Sequence, residues 1–429
     1  MSKKVAIVGY NRIPFARQNT AYVNSSIQEM LTATLNGLVE KYNLQGKRLG
    51  EVAAGAVIKT PRLLNLTRES VLSTKLDPST PACDLQQACD TGLEAAVYIA
   101  NKIALGQIEV GIAGGVDSTS HVPLLLGNKA TQLFLQASRG KTTWEKIKPL
   151  LGLRPSMFAP VPPANEEPRT GLAMGGHADI SAAYYQIARE DQDKLAWESH
   201  KKTAKAYEEG FFNDMITPFA GLSKDNNLRP DSTLEKMATL KSAFYKPKKG
   251  EAPEAGRGTL TAANSTPLTD GASAVLLASE EWAKANNLPI LAYLTHAELA
   301  AIEFVENKQD LLMAPVNAVA RLLQKTGWKL QDFDFYEIHE AFAAQVLATL
   351  KVWETPELAK KFGIEPLGSI DRSKLNVKGS SLAVAHPFAA TGGRLIATLA
   401  KLLNEKGSGK GLISICAAGG QGLVVVLEK

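Results

Sequence analysis

Short apolar runs alternate along this chain with stretches in which apolar residues recur every three or four positions. Glu51–Ile58, Val110–Val116, Ala274–Ala278, Ile290–Tyr293, Phe335–Ile338, Leu412–Cys416 and Leu423–Leu427 have strand length, as does Val5–Val8. Continuous apolar runs of that length predict strands buried on both faces. Between them, Ile27, Met30, Leu31, Leu35, Leu38 and Val39 fall on one helical face behind Ser26, a capping residue. Leu93, Ala96, Val97, Ala100, Ile103 and Ala104 do the same behind Asp90 and Thr91, and Cys83–Gln87 reads as a strand leading into Cys89. Further helices are expected from Asn65 towards Leu72 and over Glu280–Ala285, Pro315–Lys325, Glu340–Leu350 and Arg394–Leu403. Strands alternating with helices predict an α/β protein with a mainly parallel sheet covered on both faces.

The texture changes between His121 and Arg257. Lys129–Lys148 mixes Leu133, Phe134, Leu135, Trp144 and Ile147 with Lys141, Lys146 and Lys148, after which Pro155, Pro160, Pro162 and Pro163 interrupt regular structure. Ile180–Tyr207 reads as a helix and Asp225–Gly258 as polar loop. The pattern predicts an inserted loop domain over 122–258, with one half of the core formed by 1–121 and 259–283 and the other by 284–429. The basic stretch 129–148 suits a phosphorylated ligand or peripheral membrane contact, with a solvated helical face the commoner reading for any single charge. The last third repeats the order of the first: a helix opening at a reactive side chain, then an apolar strand ending in glycines. Cys89 to Gly114 is echoed by His386 to Gly419. A duplicated α/β unit with its site at the seam follows.

Composition narrows the function without defining it. The 429 residues allow two or three domains, and 45% hydrophobic with 21% charged residues is ordinary for a globular protein. A net charge of +5 accommodates an anionic substrate. Basic residues are scattered and no nucleic-acid motif is present, so nucleic acid is not an expected partner. Cys83, Cys89 and Cys416 are odd in number and lack CxxC spacing, which points away from a disulfide framework and towards a reducing, cytoplasmic setting. The apolar run after Lys4 is too short for a signal peptide, and no run approaches the roughly 18 residues of a spanning helix. The cysteines and histidines lack metal-ligand spacing and no GxGxxG or Walker motif occurs, so neither a metal nor a cofactor is expected.

Four polar residues stand at predicted element ends. Cys89 lies at a helix N-terminus, where the helix dipole favours a thiolate, and is a candidate nucleophile; a small buried core cysteine is the alternative. His386 sits in a tight turn before a helix, His339 at a strand end, and Cys416 at the end of an apolar strand. Each has a plain structural alternative.

Five blocks in order resemble the thiolase family over essentially the whole chain. Cys89 stands where that family carries its acylated cysteine. Gly114-Gly-Val-Asp-Ser-Thr-Ser120 is similar to its Gly-Gly-x-Glu-x-Met-Ser segment, and Thr261-Ala-Ala-Asn-Ser-Thr266 with Asp270-Gly271-Ala272 to its Thr-Ala-Gly-Asn-x-Ser and Asp-Gly-Ala signature. His339-Glu-Ala-Phe342, His386-Pro-Phe-Ala-Ala-Thr-Gly392 and Cys416-Ala-Ala-Gly-Gly-Gln-Gly422 follow. The departures, His339 for Asn and Ala389 and Ala418 for Gly among them, resemble the thiolase subunit of bacterial and mitochondrial fatty-acid β-oxidation (trifunctional) complexes.

The resemblance implies a duplicated core of two mixed sheets layered αβαβα, and CoA-dependent cleavage of 3-ketoacyl-CoA through an acyl-cysteine. Cys89 would be acylated, His386 would take its proton, and Cys416 would protonate the departing enolate. His339, His386 and a water would hold the enolate oxygen, and the amides of Cys89 and Ala418 the tetrahedral oxyanion. Met174 and Phe342 would line the acyl or pantetheine pocket, with Thr266 near the pantetheine arm. The implied partners are acyl-CoA and coenzyme A as substrates, a second copy of the chain in a homodimer or homotetramer, and an enoyl-CoA hydratase/3-hydroxyacyl-CoA dehydrogenase chain. A biosynthetic acetyl-CoA C-acetyltransferase, a ketosynthase and a silent scaffold are the rivals. His339 in place of Asn, Cys416, and the intact acid–base set speak against them in that order.

Overall fold

The computed structural model describes residues 3–247 and 254–429. Its frame is a ten-stranded sheet made of two similar halves. In the first, β1 (Val5–Arg12), β2 (Glu51–Ala54), β3 (Ala82–Asp84), β4 (Val110–Asp117) and β5 (Thr269–Ser279) lie in the order β3-β2-β4-β5-β1. In the second, β6 (Ala292–Ala301), β7 (Phe335–Ile338), β8 (Lys410–Ala417) and β9 (Gln421–Glu428) lie in the order β7-β8-β9-β6. Each half sets its first strand beside its last, with the penultimate strand next, so the duplication survives in the topology. The two mixed half-sheets are hydrogen-bonded to each other at one edge, where β1 and β6 pair at Ala6–Tyr293 and Ile7–Ala292. The short strand Ala16–Arg17 pairs beside β5.

The expectation of a mainly parallel sheet is corrected. Only β2–β3, β2–β4 and β7–β8 are parallel; the other neighbours along the sheet are antiparallel. A strand buried on both faces carries the same apolar run whichever way it points, so the sequence pattern is blind to direction.

Among the helices of the described residues, the longer ones of the core are α1 (Ile27–Lys41), α2 (Thr91–Ala104), α3 (Met174–Tyr184), α4 (Arg189–Glu208), α5 (Ala314–Thr326), α6 (Ala343–Glu354) and α7 (Thr391–Lys406). The two-residue period of the strands sorts their side chains between layers. Ala6 and Val8 of β1 join Met30, Leu31 and Leu35 of α1 in one apolar cluster. Val5 and Ile7 face the other way, into a central cluster with Leu93 and Ile99 of α2, Leu395 and Leu399 of α7, and Leu423 and Val425 of β9. Val424 and Val426 of β9 turn instead to Val316, Val319 and Leu322 of α5. The result is helix, sheet, helix, sheet, helix, with α2 and α7 enclosed in the middle.

Local chemistry sets several boundaries. Ser26 accepts from the Glu29 amide at 3.2 Å while the Glu29 carboxylate accepts from the Ser26 amide at 2.8 Å, a reciprocal cap that starts α1. The helix expected over Ile180–Tyr207 is two, broken where Gln186 adopts a φ of 50°. No glycine or proline marks that turn, so periodicity runs through it. The helix expected from Glu340 starts at Ala343, because Phe342 is extended and bridges to Ser265. Cys83–Gln87 shortens to β3, and the helix expected from Arg394 begins at Thr391.

Of the expected insertion 122–258, only Val122–Asn165, with Ile58–Arg62, forms a compact unit of its own; the chain from Glu166 onward belongs to the larger unit. Residues 248–253 of the expected polar loop lie outside the described residues. In the small unit, helices Asn128–Arg139 and Thr143–Ile147 bury only Ala130 and Ala137 and leave Lys129, Lys141, Lys146 and Lys148 exposed. Among the described residues, no helix is long and apolar enough to cross a membrane.

Arg12, at the end of β1, donates to Asp225 through both terminal nitrogens at 2.6 and 2.7 Å, and both residues are buried. Asp225 also accepts from the Phe15 amide at 2.7 Å and the Tyr207 hydroxyl at 2.6 Å. Removing one member of such a pair strands a buried charge. Asp225→Ala is expected to lower the unfolding free energy by about 3–5 kcal/mol, measured by urea titration; an unchanged midpoint and slope would contradict this.

Candidate active site

The site is built from two backbone turns that repeat one another. The first follows β3. Ala88 takes a left-handed φ of 48°, a conformation that costs a non-glycine residue roughly 1–2 kcal/mol. The Thr91 hydroxyl pins the turn, accepting from the Gln87 amide at 2.9 Å and donating to the Ala88 carbonyl at 2.7 Å. Cys89 is thereby presented, half-buried, just before α2. Asp90 occupies the cap position, but its carboxyl makes no capping bond.

The second turn precedes α7. Ala385 is left-handed, with φ 78°, and His386 follows. The His386 ring lies between two groups: Nδ1 is 2.5 Å from the Thr391 hydroxyl and Nε2 is 3.3 Å from the Cys89 sulfur. Thr391 is the first residue of α7 as Thr91 is the first of α2, and each is followed by glycine.

Those glycines let the turns meet. A β-carbon on Gly92 would lie 2.4 Å from the Ala389 carbonyl oxygen, and one on Gly392 would lie 2.1 Å from the Leu93 nitrogen. One on Gly115 of β4 would come within 2.1 Å of the same Ala389 oxygen. These are backbone atoms that cannot swing aside. Asp117, buried at the end of β4, ties the approach down by accepting from the Val57 amide at 3.0 Å and the Ala389 amide at 2.8 Å.

Cys416 and His339 arrive from the ends of β8 and β7. Cys416 is buried near Cys89, and the Ala418 backbone lies beside the Cys89 sulfur. The His339 ring packs against that of His386, centroids 4.1 Å apart. Its Nδ1 is 2.8 Å from the Ser381 hydroxyl, and its buried Nε2 has no protein partner. The structure therefore brings together Cys89, His339, His386, Cys416 and the amide of Ala418.

Of the expected pocket residues, Thr266 meets the backbone beside Phe342, and Met174 shares an apolar cluster with Phe342. Met174 opens α3 and packs on the apolar cluster that contains Phe342. Phe342 sits edge-on to Phe244 at 5.7 Å, and the Thr266 amide and hydroxyl both donate to the Ala341 carbonyl at 3.0 Å.

The dryness of the site governs its electrostatics. Burial pushes the Cys89 thiol up to about 12, with Asp90 and Asp117 adding to the rise and the amides of Ala418 and Cys89 opposing it. Desolvation thus opposes the helix dipole that favours a thiolate at this position. Burial, then the positive charge of Arg394, lowers His386 to about 3. Burial also holds Cys416 well above the usual thiol range, with Cys89 and Asp90 adding to it. His339 is held well below the usual imidazole range by burial, His386 and Arg394. The resting pair is a neutral thiol beside a neutral imidazole. With Cys89 donating to Nε2, the ring proton sits on Nδ1, where Thr391 accepts it. Thr391, Thr91 and Ser381 were not singled out from the sequence; aligning Thr91-Gly92 with Thr391-Gly392 within the duplicated unit was the available signal.

A cysteine thiol held by an oriented histidine at the seam of a duplicated five-layer α/β fold defines the class: an acyltransferase working through a cysteine nucleophile. The thiolase N-terminal domain model matches residues 5–281 and the thiolase C-terminal domain model residues 288–429. The chain belongs to the thiolase family. It is 40% identical over 433 residues to a 3-ketoacyl-CoA thiolase of Pectobacterium carotovorum, covering 99% of this chain and 96% of that one. Among solved structures it is similar to the Bacillus anthracis acetyl-CoA acetyltransferase, at 30% identity and TM-score 0.81 over 100% and 99% of the two chains. It is also similar to human mitochondrial 3-ketoacyl-CoA thiolase in complex with CoA, at 25% identity and TM-score 0.80 over 100% and 98%.

Two outcomes follow from the geometry and the dry setting. Gly92→Ala, which forces the two turns apart, is expected to cut acyl-transfer turnover on the order of 10²-fold with far-ultraviolet dichroism unchanged; full turnover would refute the contact argument. Alkylation of Cys89 by iodoacetamide, followed by peptide mass spectrometry, should keep climbing above pH 9, where an ordinary cysteine levels off. A plateau at neutral pH would show a thiolate already formed.

Proposed function

We propose that this chain is a degradative 3-ketoacyl-CoA thiolase, splitting 3-ketoacyl-CoA with CoA into acetyl-CoA and an acyl-CoA shortened by two carbons. The observation that carries the reading is the 3.3 Å contact of Cys89 Sγ with His386 Nε2, in a histidine whose other nitrogen meets Thr391. The 40% identity over 99% of this chain to a relative named 3-ketoacyl-CoA thiolase supports the degradative reading.

His386 takes the Cys89 proton as the sulfur bonds to the 3-keto carbon, so the costly separate ions never accumulate in the dry site. The amides of Cys89 and Ala418 receive the tetrahedral oxyanion. Its collapse breaks the bond between carbons 2 and 3 and leaves an acyl-cysteine and the enolate of acetyl-CoA. The enolate oxygen is held at the His339 and His386 side with a water, while Cys416 gives its proton to carbon 2. A thiol kept far above the usual range suits that step, since it stays protonated until a carbanion is beside it. CoA then attacks the acyl-cysteine, passing its thiol proton to Cys416, and His386 returns its proton to Cys89. Met174 and Phe342 line the acyl or pantetheine channel, and Thr266 lies at its polar side.

Coenzyme A acts as substrate, and no metal or further cofactor enters these steps. The assembly proposed is a cytoplasmic homodimer or homotetramer, able to dock an enoyl-CoA hydratase/3-hydroxyacyl-CoA dehydrogenase chain. The family resemblance supports it.

Purified protein should consume 3-ketoacyl-CoA in the presence of CoA, faster with chain length above acetoacetyl-CoA. Cleavage confined to acetoacetyl-CoA would move the assignment to the biosynthetic enzyme, and no cleavage at any length would refute it. Cys89→Ala should lose activity on the order of 10³-fold or more. Cys416→Ala should still acylate from an acyl-CoA but fail to cleave the ketoacyl substrate; equal loss of both half-reactions would remove Cys416 from its role.

A further inference from the structure

His339 has a property that its place beside His386 leaves open: a neutral imidazole carries its proton on one nitrogen only, and an oxyanion can be held only by the nitrogen that has it. We infer that Ser381 and Arg394 are positioning residues that fix the His339 proton on Nε2, making that nitrogen a preset hydrogen-bond donor for the enolate oxygen. The inference rests on the functional reading above and adds to it the two groups on which the donor depends.

The hydrogen bonds determine the direction. Arg394, four residues into α7 and buried, can only donate, and its Nη2 lies 2.6 Å from the Ser381 oxygen. A second Arg394 nitrogen, Nη1, reaches the neighbouring Ser380 hydroxyl at 3.2 Å. With its oxygen accepting from Arg394, Ser381 has its own hydroxyl proton to place, and His339 Nδ1 stands 2.8 Å away as an acceptor. Nδ1 is then a lone-pair site, and the one ring proton is on Nε2. That Nε2 is buried and without a protein partner, an expensive arrangement for a group serving only the fold. The opposite tautomer would leave the Ser381 proton without an acceptor and the orphaned nitrogen with nothing to donate.

Charge strengthens the relay. Arg394 is lowered by burial to about 10, with Glu337 and Glu340 opposing the fall, so it remains a cation at neutral pH. A cation on the serine oxygen makes its hydroxyl a better donor, and that in turn polarises the Nε2–H bond, since hydrogen bonds in series reinforce one another. The same cation opposes a second proton on His339, so the ring is kept neutral while its one proton is directed to the site.

The test is the protonation pattern of the ring in the full-length protein. Histidine labelled with nitrogen-15 gives distinct shifts for protonated and bare ring nitrogens, and the His339 signals are assigned by their loss in His339→Asn. The expected result is Nε2 protonated and Nδ1 bare in the wild type across pH 6–9. Ser381→Ala should show proton on Nδ1 in a measurable fraction of molecules. Its kcat for thiolysis should fall roughly 10- to 100-fold, short of the loss of a whole oxyanion donor, with KM for CoA within about twofold. Ser381→Thr, which keeps the hydroxyl, should restore both the shifts and kcat. A wild-type ring protonated on Nδ1 overturns the inference without any variant, as does Ser381→Ala with an unaltered ring. Absence of thiolysis in the wild type would sink the functional reading alone, because the ring shifts decide the relay in either case.

Discussion

Two backbone turns from the two halves of the chain must touch, and the rest of the structure is arranged around that contact. Gly92 and Gly392 open the two central helices, and at each of them a single added carbon would collide with the opposite turn. The contact brings a thiol and an imidazole, almost three hundred residues apart in sequence, within 3.3 Å. Asp117 adds a charged tie, with one carboxylate holding amides from both sides of the seam. Packing of this kind is unforgiving because backbone, unlike a side chain, has no rotamer into which to retreat.

Duplication supplied the frame, and divergence supplied the chemistry. In both halves a left-handed alanine precedes the reactive residue and a threonine begins the helix. The two threonines have parted in function. Thr91 spends its hydroxyl on the backbone of its own turn, whereas Thr391 spends it on the His386 ring. One frame thus yields a pinned cysteine and an oriented histidine.

Burial acts on the reacting groups in opposite senses. It raises both thiols and lowers both imidazoles, so all four rest uncharged. A site that stored a thiolate–imidazolium pair would need to solvate it, and the burial of these groups works against that. What it supplies in advance is donor placement, through the amides beside Cys89 and the unpartnered His339 nitrogen.

The sequence by itself determined the strands Phe335–Ile338 and Val5 onward, the capped helix behind Ser26, the duplication and the family, and it picked out the four polar residues that meet at the seam. These depend on local periodicity, capping chemistry and short motifs, all written in neighbouring residues. It misjudged whatever depends on what lies opposite. Strand direction was invisible because doubly buried strands read alike both ways. The break at Gln186 was invisible because no turn residue marks it. The helix dipole at Cys89 was legible because it is local, whereas the desolvation that opposes it arises from tertiary packing. Only the folded chain decided which hydroxyl meets which histidine. A serine beside position 380 and an arginine in α7 acquire meaning when their hydrogen bonds converge on His339, and that convergence is a property of the seam.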